Sequence, residues 1–182
     1  MYQLVRKTLE TYLSEQRVIT LSDFPAELSP LWSRKDAIFV TLYFEGKVIA
    51  SSRRIACQKG NTLYECVDNT LLCLKDPRFT ASIASKDKLS DIHIRTDRFG
   101  PEGRRILRSI DELDTTREGL IFLSQNLGII SVILPHMLHV DTSSQAYFAL
   151  ACKKSWIDPE SLTPADFVLY GLTTVSESDF DN

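Results

Sequence analysis

Apolar positions change period several times along the chain. From residue 2 to 16, Val5, Leu9, Tyr12 and Leu13 recur three or four apart, the spacing of one helix face. Pro25 and Pro30 break any period between Leu21 and Ser33, which predicts an irregular connector pinned by Leu28, Leu31 and Trp32. Ala37 to Phe44 (AIFVTLYF) is β-branched and aromatic and predicts a strand. Glu45-Gly46 turns it into a return strand from Lys47 to Ser52. Thr62-Leu63-Tyr64-Glu65 has the form of a capping box. It opens a helix to about Lys75 with Leu63, Cys66, Val67, Leu71 and Leu74 inward, stopped by Asp76-Pro77.

Downstream, Asp91 to Thr96 (DIHIRT) alternates, with Ile92 and Ile94 on one face, and residues 97 to 105 predict a loop. A short strand and turn are expected between Ile106 and Leu113. Gly119 to Leu123 and Gly128 to Leu134 predict a second hairpin ended by Pro135. Thr142 to Gln145 caps a helix to about Lys154, with Tyr147, Leu150 and Ala151 inward. Pro159 and Pro164 bracket a short helix or turn, Phe167 to Val175 is a last strand, and SESDFDN is a polar tail expected to fray. Hairpins with helices between them predict an α+β fold of largely antiparallel hairpins and packed helices. The expected organisation is an N-terminal helix and connector (1–36) packed on the domain, a domain over 37–175, and an acidic tail over 176–182.

Composition narrows the function classes. The chain has 182 residues, 43% apolar and 25% charged, and a formal charge of −3, so no global basic footprint points to nucleic acid. No stretch approaches the roughly 20 apolar residues of a membrane-spanning helix, and the charged start lacks a signal-peptide core, so no membrane association is expected. Cys57, Cys66, Cys73 and Cys152 form no C-x-x-C pair and read as reduced thiols of a cytoplasmic protein. No cofactor and no metal site is expected.

Five stretches together resemble the AMMECR1 domain family. They are Phe39-Val40-Thr41-Leu42 with Gly46, Leu63-Tyr64-Glu65 with Asp76-Pro77-Arg78-Phe79, and Leu89 to Ile94. The others are Arg117 to Ile121 with Gly128 to Pro135, and Ala151 to Lys154 with Trp156. Order and spacing agree over residues 37 to 175, and the D-P-R-F segment with the G-L-I…L-P hairpin is the most specific pair. The resemblance implies a mixed α+β fold with a larger and a smaller lobe and a cytoplasmic setting. It brings no settled biochemical activity. In prokaryotes, members tend to be encoded near Memo-like and radical-SAM proteins, which makes those the expected partners. The family's L-R-G-C-I-G hallmark is replaced here by Val48 to Arg53, with Ser51 in place of its Cys. A hydroxyl there is a far weaker nucleophile without an adjacent base.

Several clusters carry candidate chemistry. Ser51, Arg53, Arg54, Asp76 and Arg78 form a candidate anion-binding or ligand-binding set, since an Arg fork suits an anion and serines add donors. The plainer reading is a helix stop braced by Asp76 and Arg78 beside an ordinary strand end. Arg95, Arg98, Arg104, Arg105 and Arg108 give residues 95–108 a net +3 against Asp97 and Glu102. They are a candidate basic patch for nucleic acid, with a solvated loop as the plainer reading. His136, His139 and Asp141 have ligand-type spacing but no H-E-x-x-H context. Cys66 and Cys73 share a helix face and read as core. Cys152 precedes two lysines that would lower its pKa if it were exposed.

Three functions follow as expectations. The first is an AMMECR1-like accessory or binding module of undefined activity, linked to Memo-like and radical-SAM proteins. The second is an enzyme acting on a small anionic substrate in a cleft near Ser51 and Arg78. The third is a nucleic-acid-associated factor using Arg95 to Arg108, against which the overall charge argues. Whether the chain is an enzyme stays open on sequence.

Overall fold

A computed structural model of the chain describes residues 1–80, 83, 86–137 and 141–180, apart from the side chains of Leu21, Arg53, Lys86 and Asp87. In chain order the elements are α1 (Tyr2–Glu15), β1 (Ala37–Phe44), β2 (Lys47–Arg53), α2 (Thr62–Cys73), β3 (His93–Phe99), β4 (Arg104–Leu107), β5 (Gly119–Ser124), β6 (Ile129–Ile133), α3 (Ser144–Lys154), β7 (Val168–Leu172) and β8 (Val175–Ser178). Short 3-10 turns lie between them. The fold is α+β. The chain divides into two compact units, residues 1–98 with 175–182, and residues 99–174.

The first unit holds a sheet of order β2-β1-β3-β8. Strand β1 lies inside the sheet, and Ala37 to Leu42 are all buried, as a run of β-branched and aromatic residues requires. The β1–β2 hairpin turns at Glu45 and Gly46, both with positive φ (49° and 73°), the geometry that suits the twist of a two-residue turn. Leu4, Val5 and Leu9 of α1 meet Ile38, Val40 and Leu42 of β1, Leu63 and Cys66 of α2, and Ile92 and Ile94 in one core. The connector is pinned as expected, by Leu28, Leu31 and Trp32 against that core.

Four expectations are corrected here. Helix α2 is capped by Asn61, whose Oδ1 accepts from the N–H of Leu63 and of Tyr64, both at 3.0 Å. Thr62 instead accepts the Asp36 N–H, and Glu65 is fully buried, so no capping box forms. Residues 97 to 105 are not one loop: β3 continues to Phe99 and β4 starts at Arg104. Phe167 to Val175 is not one strand, because β7 belongs to the second sheet and β8 to the first.

The tail does not fray. Strand β8 pairs antiparallel with β3, placing Arg95 opposite Ser178 and Arg98 opposite Val175. Asp179 accepts the Ile94 N–H at 2.6 Å and pairs with Arg6 of α1 at 2.7 Å. Phe180 stacks on His93, with ring centres 5.1 Å apart. Polar composition suggested fraying, but the acids have specific donors waiting on α1 and β3.

The second unit holds a sheet of order β4-β7-β5-β6 with α3 packed on β5 and β6. Leu120, Phe122, Ile133, Tyr147, Ala151, Cys152 and Leu169 form its core. Ser143 caps α3 through Oγ, which accepts the Ala146 N–H at 3.2 Å. Gly171 in β7 leaves space for a carboxylate: a Cβ there would stand 2.8 Å from Glu118 Cδ.

Candidate functional site

The first candidate site is built on the edge of the first sheet. Strand β2 is an edge strand, so its outward N–H groups need partners from outside the sheet. Asp76, just beyond α2, supplies one: its Oδ2 accepts the Ser51 N–H at 3.2 Å. Arg78 then closes a fork on the same carboxylate, Nε to Oδ1 at 3.0 Å and Nη2 to Oδ2 at 2.6 Å. The Arg78 N–H adds a third bond to Oδ1 at 3.0 Å, and Nη2 also reaches Ser51 Oγ at 3.3 Å. The Arg78 fork, with the two N–H donors, holds the Asp76 carboxyl down to about 2.

Ser51, Asp76 and Arg78 of the candidate set therefore come together, though as a brace among themselves. Asp76 fills the Nε–Nη2 edge of the Arg78 guanidinium. Ser51 Oγ meets a guanidinium and, among the described residues, no base. Arg54 is not part of this cluster: it pairs with Asp68 at 2.6 Å and Glu65 at 3.1 Å. Ser52 points inward, with Oγ donating to Asn69 Oδ1 at 2.7 Å. The Arg53 side chain lies outside the described part.

Glu65, placed by sequence at a cap, is the centre of a buried polar knot. Its Oε1 accepts from Arg54 and Asn69, and its Oε2 accepts the N–H groups of Gln58 and Lys59 at 2.8 and 3.0 Å. The carboxylate thereby ties the 55–60 loop to α2. Its place as the fourth residue of an apparent box hid this role.

The arginines of 95–108 divide between the two units, and most are engaged locally. Arg95 makes a fork with buried Asp97, both contacts at 2.8 Å, and Arg98 pairs with Asp36 at 2.6 Å. Burial pushes the Asp36 carboxyl up, but the guanidiniums of Arg34 and Arg98 outweigh it and hold it low. Arg105 grips Glu118 through Nε and Nη2 at 2.7 and 2.8 Å. Arg104 lies over the Phe99 ring, 5.8 Å from its centre. Arg108 differs: among the described residues its guanidinium has no hydrogen bond or ion pair, and only its backbone N–H is engaged, by Glu112 Oε2 at 2.9 Å.

Three of the four thiols are buried, and only Cys57 is partly accessible. Burial pushes Cys66 and Cys73 up to about 12, and raises Cys152 and Cys57 as well. The lysines beside Cys152 do not activate it; Lys154 Nζ donates to the Val132 carbonyl at 3.1 Å instead. His139 lies outside the described residues. Asp141 accepts the Ser143 N–H at 2.9 Å, and no group of three or more His, Cys, Asp or Glu side chains among the described residues could hold a metal ion.

Sequence reasoning missed a cavity of about 360 Å³ in the second unit. Phe148 of α3 and Phe167 before β7 line it, their ring centres 5.5 Å apart, with Phe122 of β5 packed 6.0 and 5.3 Å from them. Ile110 and Leu169 add apolar wall, and Arg108 and Gln145 stand among its lining residues. No local spacing links Phe148 to Phe167; only the packing of α3 against the second sheet brings them together.

No family model matches the sequence, and no curated protein matches it. Among solved structures, the chain is similar to an uncharacterized protein from Pyrococcus horikoshii, with a TM-score of 0.79 and 17% identity over 98% of this chain and 89% of that one. At that identity the likeness carries the fold alone.

Proposed function

We propose that this chain is an AMMECR1-like domain acting as an accessory or binding module rather than as a catalyst at Ser51. Its expected partners are Memo-like and radical-SAM proteins, in a cytoplasmic setting. The observation that carries the non-catalytic part is the brace: among the described residues Ser51 Oγ bonds Arg78 and no base, and Asp76 is held by the Arg78 fork and the Ser51 N–H. A serine nucleophile needs a base to take its proton, and an anion site needs an unfilled guanidinium edge. The partner class rests on the family resemblance. The convergence of Ser51 and Arg78 favours the second reading, a small anionic substrate at that edge.

Co-expression with Memo-like and radical-SAM proteins of the same genome tests the first reading. The expected result is a complex that survives size-exclusion chromatography and is unchanged by Ser51→Ala. Absence of any complex with either class overturns the partner assignment. Turnover of a phosphorylated or carboxylated small molecule that Ser51→Ala abolishes would replace this reading with the enzymatic one.

A further inference from the structure

The cavity of the second unit combines apolar aromatic walls with one cationic lining residue. Its walls are apolar and aromatic, from Phe148, Phe167, Ile110 and Leu169, and its volume of about 360 Å³ is at the small end of ligand pockets. One charged residue lines it, Arg108, the guanidinium that no carboxylate engages among the described residues. Arg95, Arg98 and Arg105 each pair with an acid. The two acids nearest in sequence do not themselves line the cavity, and each bonds a lining residue without engaging the Arg108 guanidinium. Asp111 accepts Gln145 Nε2 at 3.1 Å, and Glu112 accepts the Arg108 N–H. Asp111 thereby holds the Gln145 amide by its nitrogen, leaving the carbonyl oxygen able to accept.

Gln145 also belongs to the first turn of α3, which carries no acidic residue. The positive end of the helix therefore borders the same cavity as Arg108, and both favour negative charge. Apolar walls with a single cationic rim group match a ligand that is apolar at one end and anionic at the other. The tilted Phe148–Phe167 pair suits a flat ring, which can join it edge to face.

We infer that this cavity is a binding site for a small aromatic carboxylate, its ring against Phe148 and Phe167 and its carboxylate on Arg108. The inference does not depend on the AMMECR1-like reading or on Ser51.

The test titrates the isotope-labelled full chain with 3-phenylpropionate and, separately, with the neutral 3-phenylpropionamide, following backbone amide shifts. The acid is expected to shift the amides of Leu107, Ile110, Phe148 and Val168 saturably, with those of Val40 and Leu63 unmoved as controls. The amide is expected to bind about tenfold more weakly, the modest factor of a solvent-accessible charge pair. Arg108→Gln is expected to bring the acid to the affinity of the amide without moving the melting temperature. No saturable shift at these amides, equal affinity for acid and amide, or an acid preference that survives Arg108→Gln each overturns the inference.

Discussion

The two units use charge in opposite ways. The first is drawn together by its own ion pairs. Arg6 ties α1 to Asp179 after β8, Arg98 and Arg34 share Asp36, and Arg54 closes on the buried Glu65. The second unit pairs Arg105 with Glu118, but keeps an aromatic cavity lined by Arg108, whose guanidinium no carboxylate engages among the described residues. Charges committed to internal pairs hold elements in register; a guanidinium left free at a cavity costs stability nothing to lose and has something to bind. The first unit is accordingly read as structure, its Ser51 edge included, and the second as the place for a small ligand.

The strongest way to break this comparison is to remove residues 175–182. That deletion takes β8 from β3, Asp179 from Arg6 and Phe180 from His93. It should cost more than about 3 kcal/mol, enough to unfold a marginal domain. Denaturant unfolding that shifts by less than about 1 kcal/mol would restore the tail to a passive role. Next is Glu65→Ala, which strands the Gln58 and Lys59 N–H groups and leaves Arg54 only Asp68. It should cost about 3 kcal/mol by chemical denaturation. An effect within about 0.5 kcal/mol would show that the knot is not needed.

A smaller effect is expected from Asp76. Its folded pKa lies below its ordinary value, so its contribution is complete above about pH 4 and is lost as pH falls toward about 2. Asp76→Asn should flatten that part of the pH–stability curve relative to wild type, by less than about 1 kcal/mol because Arg78 is half exposed. A curve for Asp76→Asn that runs parallel to wild type between pH 2 and 4 contradicts the brace. Native alkylation with iodoacetamide should label only Cys57 of the four thiols, read by mass spectrometry; labelling of Cys66 or Cys73 without unfolding would contradict their burial. The smallest effect is that of Arg108→Gln, which should leave stability within about 0.5 kcal/mol. A larger loss would make Arg108 a structural residue like its neighbours.

Local patterns made much of the fold legible. The β1–β2 and β5–β6 hairpins, α1 and α3 were readable because hydrophobic period and turn residues act over a few positions. The α2 cap was misread because Asn61 and Thr62 both offer a side-chain acceptor, and only the Asp36 N–H, 26 residues earlier, decides which one caps. The tail was misread because pairing of Ser176 and Glu177 with β3 is long-range and leaves no local signature. At the candidate site, Ser51, Asp76 and Arg78 were grouped by their chemistry, while their mutual pairing depends on hydrogen-bond directions that spacing does not encode. The cavity was illegible for the same reason as the tail.

One titration tests the contrast between the units most directly. The labelled chain is followed by amide shifts as 3-phenylpropionate is added, and then again with inorganic phosphate as the probe for the Ser51 edge. The account predicts saturable shifts at Ile110, Phe148 and Val168 with the carboxylate, and none at Ser51, Asp76 or Arg78 with phosphate. Saturable phosphate shifts at Ser51 and Arg78, with the second unit silent to the carboxylate, would contradict it.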